Sequence, residues 1–246
     1  MAGHSKWAKI KRGKASEDAK RGAVFTKLGN MIAIAAKSGG DPNMNPGLAL
    51  AIQKAKDANM PGANIEKAIK RGTGELGGAI IEEMTYEGYG PGGIAVIVEC
   101  ASDNRNRTYS DVRTAFSKNG GNIAESGAVA FQFNRQGVIR VKSNSPEEDL
   151  LTVLDAGASD ASEEEGELIV YTDLKQLHAV RQNVEESGLK VLSAEPSYVP
   201  TTIIEITDSN EAKKIVKLMD ALDELDDVTE TYSNFDLDES VVADVT

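Results

Sequence analysis

The sequence is poor in the side chains that most enzymes and metal sites depend on. Its 246 residues include one cysteine, Cys100, and two histidines, His4 and His178. A single cysteine excludes an internal disulfide framework and a zinc module built on several cysteines. Neither histidine has a partner at ligand spacing, which leaves a histidine-based zinc site or a Ser-His-Asp triad with little support. Cys100 follows a predicted buried strand and is interpreted as a small buried residue, not as a nucleophile.

Long apolar runs and aromatic residues are also scarce. No run approaches the roughly 18 apolar residues of a transmembrane helix, and the basic first 14 residues lack the apolar stretch of a secretory signal. Aromatic residues make up 5% of the chain, which argues against an extended platform for stacking single-stranded nucleic acid. The remaining composition is typical of a globular protein, so we expect a cytoplasmic protein with no membrane contact.

The net charge of −12 is distributed very unevenly along the chain. Residues 1–75 hold 14 Lys and Arg against 6 Asp and Glu, whereas residues 141–246 hold 7 against 26. A basic front and an acidic rear on one chain indicate a polyanionic partner for one end only. We expect the acidic end to face away from that polyanion.

The basic charge begins in the first 14 residues, which carry five Lys and Arg and no acid. With few apolar groups to bury, this segment is predicted to be an extended arm. Such cations neutralise phosphates without regard to sequence, and a tryptophan among them favours stacking on a base or ribose. The alternative is a solvated tail that orders against its own protein. The candidate contacts in the arm and the first helix are Lys6, Trp7, Lys9, Lys11, Arg12, Lys14, Lys20, Arg21 and Lys27.

A second basic segment, residues 104–108, lies between a predicted buried strand and the following helix. Two arginines at a helix N-terminus, where free backbone N–H groups also point, make a suitable anion site. The alternative is an internal salt bridge to Glu99, Asp103 or Asp111, and the sequence favours neither. The candidate contacts here are Asn104, Arg105 and Arg107.

Helical spacing of apolar residues dominates the first third of the chain. It predicts a helix that begins at Ser16 and ends at Gly39, a second helix capped by Asn45 with Pro46 in its first position, and a third helix that ends at Gly72. The apolar face of the first helix is formed by Phe25, Leu28, Ile32 and Ala35.

The pattern then becomes that of a mixed α/β protein. A β-branched run at 94–98 predicts a central strand, and alternation over 129–133 predicts a strand with one buried face. Capping residues predict helices that begin at Thr108, Ser145, Asp173 and Asp208.

Residues 137–194 follow a strand–helix–strand–strand–helix–strand order, which suits a ferredoxin-like unit. One of these strands is placed near 158–164. The last helix and a strand at 228–234 form no sheet alone, so we expect them to return to the strands of 84–133. That return makes 134–200 an inserted domain.

Eight motifs, taken together, closely resemble the YebC/PmpR family, which includes the mitochondrial translational activator of cytochrome c oxidase. The resemblance runs in order along the chain, is dense over 1–133 and is looser beyond 134. The motifs are AGHSKW at 2–7, DAKRG at 18–22, FTKL at 25–28, NMP at 59–61, AIKRG at 68–72, YEGYGPGG at 86–93, DNRNRT at 103–108 and FSKNGG at 116–121.

The resemblance implies no enzymatic activity, no cofactor and a cytoplasmic location. It also supports an α+β fold of three domains: an all-helical N-terminal domain plus two ferredoxin-like α/β domains, the third inserted in the second. The predicted boundaries are 1–78 for the basic arm and helical domain, 79–133 with 201–240 for the second domain, and 134–200 for the acidic inserted domain.

Three functions remain open from the sequence. The first is a nucleic-acid-binding regulator of gene expression, a DNA-binding transcriptional regulator as some members of the family are described. The second is a ribosome-associated translational activator that binds rRNA and relieves stalling. The third, from another class, is a ferredoxin-like ligand sensor or protein adaptor. DNA, RNA or both are therefore the expected partners, with no membrane and no small-molecule substrate.

Overall fold

The structure is a computed structural model that describes residues 21–164, 166–243 and 245. These residues form two compact units. The inserted unit comprises residues 134–199, and the main unit joins the described residues up to Phe133 with those from Pro200 onward. Among these residues, every helix is too short or too polar to span a bilayer.

The helices in chain order are α1 (Arg21–Ala36), α2 (Pro46–Asp57), α3 (Gly62–Gly72), α4 (Arg105–Lys118), α5 (Pro146–Asp155), α6 (Leu177–Glu186), α7 (Ser209–Asp223) and α8 (Glu239–Val242). The strands are β1 (Glu82–Tyr89), β2 (Ala95–Ser102), β3 (Asn122–Ala124), β4 (Phe133–Lys142), β5 (Asp160–Glu164), β6 (Glu167–Thr172), β7 (Lys190–Pro200), β8 (Ile204–Ile206), β9 (Val228–Ser233) and β10 (Phe235–Leu237).

Helices α1–α3 pack around one small apolar core. The Asn45 side chain caps α2 by accepting the Leu48 N–H at 3.1 Å, and Pro46 takes the first helical position. The three predicted helices are therefore confirmed, except that residues 16–20 of the first lie outside the described part of the chain. The core residues shared by the three helices are Leu28, Ile32, Ala36, Leu48, Ala55, Ile65 and Ala68.

The main unit is built on a four-stranded antiparallel sheet with the order β3-β1-β2-β9. Strand β2 is central, as its β-branched sequence predicts. The pairing of β9 with β2 confirms that the last helix and strand return to the early part of the chain. Strands β8 and β10 form a separate parallel pair.

Helices cover both faces of this sheet, because successive side chains of β2 point to opposite sides. Val96, Val98 and Cys100 pack with α4 and α7 in the largest core. On the other face, Ala101 packs against Ala33 of α1, and the Asn30 amide donates to the Ala101 carbonyl at 3.1 Å. The order of layers is therefore α1–α3, sheet, then α4 with α7.

Cys100 is a buried member of that core, as predicted, with 1% of its surface exposed. Burial raises the pKa of its thiol to about 12, and the nearby Asp227 carboxylate acts in the same direction. The thiol therefore stays protonated near neutral pH and is no nucleophile there.

The inserted unit has the ferredoxin-like arrangement. Its sheet order is β5-β6-β4-β7, and α5 and α6 follow the first and third strands of the unit. The strand expected near 158–164 is β5. A helical N-terminal segment followed by sheet units confirms the α+β prediction, whereas the domain boundaries given above remain predictions.

Two local predictions were wrong, and a third was right in position but not in its side-chain bond. Helix α4 begins one turn before Thr108, because Asn104 provides the cap instead. Helix α6 begins at Leu177, since Asp173 accepts the nearby Lys175 N–H and stabilises a turn. Ser145 precedes α5, but its side chain forms no cap; the Asp149 carboxylate accepts the Ser145 N–H.

The predicted strand at 129–133 was also wrong. A 3-10 turn, Ala130–Gln132, occupies most of it, and Phe131 is 75% exposed. The backbone N–H groups of Val129 and Ala130 donate to the buried Glu87 carboxylate, so they are not available to a neighbouring strand.

Candidate nucleic-acid interface

Most of the predicted arm contacts lie outside the described residues. These are Lys6, Trp7, Lys9, Lys11, Arg12, Lys14 and Lys20. Arg21 is the first residue of α1, but its side chain is not among the parts that the structure describes. The remaining four candidates, Lys27, Asn104, Arg105 and Arg107, all belong to the main unit.

Lys27 connects two layers of the main unit. It lies on α1, is half-buried, and its Nζ donates to the backbone carbonyl of Asp223 at the end of α7. A carbonyl at a helix C-terminus carries partial negative charge and suits an ammonium group. The contact therefore holds α1 against the end of α7, which gives Lys27 a structural role.

Asn104 is the N-terminal cap of α4. Its side-chain oxygen accepts the Arg107 N–H at 3.1 Å, and its own N–H donates to Ser102 Oγ at 3.1 Å. The first turn of α4 is thus satisfied by the chain itself, which leaves fewer free N–H groups for an anion than the sequence suggests.

Arg107 is held by carboxylates of the protein. Its Nη2 lies 3.0 Å from Asp227 Oδ2 and 3.1 Å from Oδ1, its Nε lies 3.2 Å from Oδ2, and a weaker contact of 3.4 Å joins Nη2 to Asp103. The hydrogen bond to Asp227 is the main reason that the pKa of Arg107 is raised. The internal salt bridge, one of the two alternatives from sequence, is therefore formed mainly with Asp227, which the sequence did not suggest, and more weakly with Asp103, which it did.

Asp227 is the centre of this network and was missed from sequence. Besides Arg107 it accepts the hydroxyl groups of Ser102 at 3.0 Å and Thr108 at 2.7 Å, both of which are buried. It stands 120 residues beyond Arg107, on the turn between α7 and β9. The only sequence signal was the acidic LDDV motif before the last strand, at 225–228.

The network borders a cleft of about 610 Å³ in the main unit. Five carboxylates and two guanidinium groups line it, so the charge of its wall is negative. A wall of this sign repels phosphate unless a cation is bound. The charged residues of the wall are Arg71, Asp103, Arg107, Asp111, Glu224, Asp226 and Asp227.

Arg105 differs from Arg107 in its surroundings. It is exposed at the start of α4, and it forms no salt bridge with the residues that the structure describes. Its carbonyl accepts the Tyr86 hydroxyl at 3.5 Å. Burial raises the pKa of Tyr86, and the positive charge of Arg105 opposes that rise. Of the two arginines, Arg105 is the one available to an external anion.

Part of the acidic rear of the chain folds beside the basic front. Residues 200–246 fold into the same unit as α1–α3, and Glu230 on β9 forms a salt bridge of 3.4 Å with Lys54 on α2. The expectation treated the acidic residues as one block, whereas the fold brings the last strand back beside the helices.

Replacing Asp227 with alanine should lower the free energy of unfolding by about 2 kcal/mol. The substitution leaves the buried Ser102 hydroxyl without its acceptor and removes the shorter of two bonds from Thr108. Chemical denaturation would measure the loss. The matched control is Asp226→Ala, an exposed neighbour in the same turn, for which we expect a change below about 0.5 kcal/mol. Equal effects of the two substitutions would contradict the role given to Asp227.

Comparison with known proteins covers nearly the whole chain. The family model described as TACO1/YebC protein N-terminal domain matches residues 5–75, and the model described as TACO1/YebC second and third domain matches residues 81–235.

Similar proteins extend over the full length. A protein of Halothermothrix orenii named "Probable transcriptional regulatory protein" is 53% identical over 251 residues, covering 100% of this chain and 99% of its own. A protein of Persephonella marina with the same name is 49% identical over 249 residues, covering 100% of both chains. The crystal structure of the conserved hypothetical protein Aq1575 from Aquifex aeolicus has 45% identity and a TM-score of 0.84, covering 92% of this chain and 94% of that one.

Proposed function

The chain belongs to the TACO1/YebC family, and from this premise we propose that it is a regulator of gene expression that binds nucleic acid. The observation that carries the proposal is full-length similarity to relatives named probable transcriptional regulatory proteins. In this proposal the protein regulates transcription by binding DNA in the cytoplasm. It acts by occupying the DNA and catalyses no reaction. If the protein binds ribosomal RNA instead, its role would be regulation of translation and not of transcription.

The distribution of charge supports a polyanionic partner. The first 75 residues carry eight more Lys and Arg than Asp and Glu, on a chain whose net charge is −12. We propose that the basic residues preceding α1 neutralise phosphates, with Trp7 stacking on a base or sugar. Arg105, which is exposed, is a further proposed contact. The other predicted contacts in the described chain form hydrogen bonds within the protein and stabilise the fold near Arg105. They are Lys27, Asn104 and Arg107.

This proposal predicts a specific loss when the N-terminal cations are removed. The combined variant Lys6→Gln, Lys9→Gln and Lys11→Gln should weaken binding to a labelled duplex at least about tenfold near 0.1 M salt. The slope of log K against log salt should become shallower by about 2 to 3, because each lost phosphate contact removes roughly 0.9. Fluorescence anisotropy over a salt series would measure both quantities.

The matched control removes three exposed lysines from the inserted unit, Lys142, Lys175 and Lys190, by the same change to glutamine. It alters the net charge equally and should change the affinity less than about twofold. If the N-terminal variant and the control weaken binding to the same extent, the contact is a general charge effect and the assignment of the N-terminal residues is wrong.

A further inference from the structure

Helix α7 carries three lysines on the side that faces away from its core. Lys213, Lys214 and Lys217 are all exposed. Their spacing of one, three and four residues places them together on the helix surface. The opposite side packs into the main core through Ala212, Ile215, Val216, Leu218, Met219 and Leu222.

The position of these lysines in the charge pattern is unusual. Residues 200–246 hold 13 Asp and Glu but only 3 Lys and no Arg, and all three lysines lie on this one surface. Random placement in so acidic a segment would surround each lysine with carboxylates. Within the described chain, however, none of the three takes part in a salt bridge.

Two of the three acidic residues of α7 are turned away from this surface. Glu211 lies beside the turn Pro91–Gly93, since a Cβ on Gly92 would come within 2.5 Å of its Oε1. Asp223 accepts the Thr231 hydroxyl on β9 at 2.9 Å. The third, Asp220, follows Lys217 by three residues and is half-buried. None of the three acids is exposed, so the exposed charges on α7 are the lysines alone.

Helix α4 extends the positive surface. It packs beside α7 in the same core and presents Arg113 and Lys118, both exposed, on its own surface. The C-terminal end of α4 and the N-terminal end of α7 both meet the turn Pro91–Gly93. Lys118 therefore stands at the same end of this helical layer as Lys213 and Lys214.

We propose that Lys213, Lys214 and Lys217, the lysine surface, form a second binding site for the phosphate backbone of nucleic acid. This rests on the proposed function and adds a contact surface to it. Ammonium groups act on phosphates as point charges and do not read bases, so the site contributes affinity without sequence preference. Helices α4 and α7 cover the sheet face opposite α1–α3, so the lysine surface is separate from the N-terminal segment. The contributions of the two sites to the binding free energy should therefore add.

The test uses the full chain and a labelled DNA duplex, with a labelled RNA duplex in parallel. The combined variant Lys213→Gln, Lys214→Gln and Lys217→Gln should weaken binding at least about fivefold near 0.1 M salt and reduce the salt slope by about 2. Combined with the N-terminal variant, the two losses in log K should add. The control is again the variant of Lys142, Lys175 and Lys190, which removes three exposed lysines of the inserted unit and should bind like the wild type.

The outcomes separate the two proposals. If the wild type binds and the lysine-surface variant shows the affinity and slope of the control, this inference is overturned and the proposed function stands. If the wild type binds neither DNA nor RNA, the proposed function is overturned and the inference with it. An acidic protein captured by the lysine surface, with nucleic-acid binding unchanged in the variant, also overturns the inference. Unchanged thermal unfolding of the variants shows that the substitutions leave the fold intact.

Discussion

Glu87→Gln should lower the free energy of unfolding by about 2 to 3 kcal/mol, one of the two largest effects that we expect from a single substitution. The Glu87 side chain is only 6% exposed. Its carboxylate accepts three backbone N–H groups, from Gly127 at 2.6 Å, Val129 at 2.7 Å and Ala130 at 2.9 Å. These bonds hold the turn that connects β3 to β4.

Glutamine has the same shape but one acceptor oxygen where the carboxylate has two. Whichever way the amide is turned, its NH₂ group faces at least one of the three N–H donors, and a buried donor without an acceptor costs about 1 to 3 kcal/mol. Urea denaturation measures the loss. Glu83→Gln, an exposed position on the same strand, is the control and should change stability by less than about 0.5 kcal/mol. A loss below 1 kcal/mol for Glu87→Gln would mean that this carboxylate does not hold the turn.

Gly72→Ala is the second substitution with a large expected effect, a loss of about 3 kcal/mol. A Cβ built at this position would lie 2.1 Å from the Ala33 carbonyl oxygen and 2.8 Å from the Ala36 Cβ, both on α1. The obstacle is the backbone of a packed helix and not a flexible side chain. Relief therefore requires that α3 move away from α1, which opens the core that the two helices share.

Gly62→Ala provides the matched control at the other end of the same helix, where a new Cβ meets nothing within 4 Å. Alanine has the higher helix propensity, so this variant should be neutral or slightly more stable, by at most about 1 kcal/mol. Thermal and chemical unfolding of both variants would test the comparison. If Gly72→Ala unfolds like Gly62→Ala, the two helices are not in the close contact described.

The elements that sequence predicted well are those whose signals are local. Asn45 followed by Pro46 marks the start of α2, and both residues act there as expected. The β-branched run of β2 identifies the centre of the main sheet. The order of elements over 137–194 leads to the ferredoxin-like unit, because that order leaves few ways to form one sheet with helices on one side.

Two of the failures involve a bond to a residue far away in sequence. Alternating apolar residues at 129–133 predict a strand, but Glu87, some forty positions earlier, takes the N–H groups that a strand would use. Thr108 has the side chain of a cap, but its hydroxyl donates to Asp227 instead. Periodicity reports which side chains are apolar, and it carries no information about distant acceptors.

The candidate site likewise has features with a local sequence signal and features that depend on distant residues. Segment charges correctly separated a basic front from an acidic rear, yet averaging over 141–246 concealed the three lysines of α7. The sequence KKxxK at 213–217 on a predicted helix was the available signal. In contrast, no local pattern could show that Arg107 is paired with Asp227, since the two residues meet only when β9 returns to β2.

Crosslinking the intact protein to nucleic acid in cells, followed by sequencing of the bound DNA and RNA, tests the central claim most directly. The proposal predicts enrichment of DNA upstream of genes, and loss of that enrichment when Lys6, Lys9 and Lys11 are replaced by glutamine. Enrichment confined to ribosomal RNA would contradict transcription regulation as the primary role. Equal enrichment by the wild type and the N-terminal variant would contradict the role given to the N-terminal lysines. An absence of any enriched DNA or RNA with the wild type would contradict nucleic-acid binding itself.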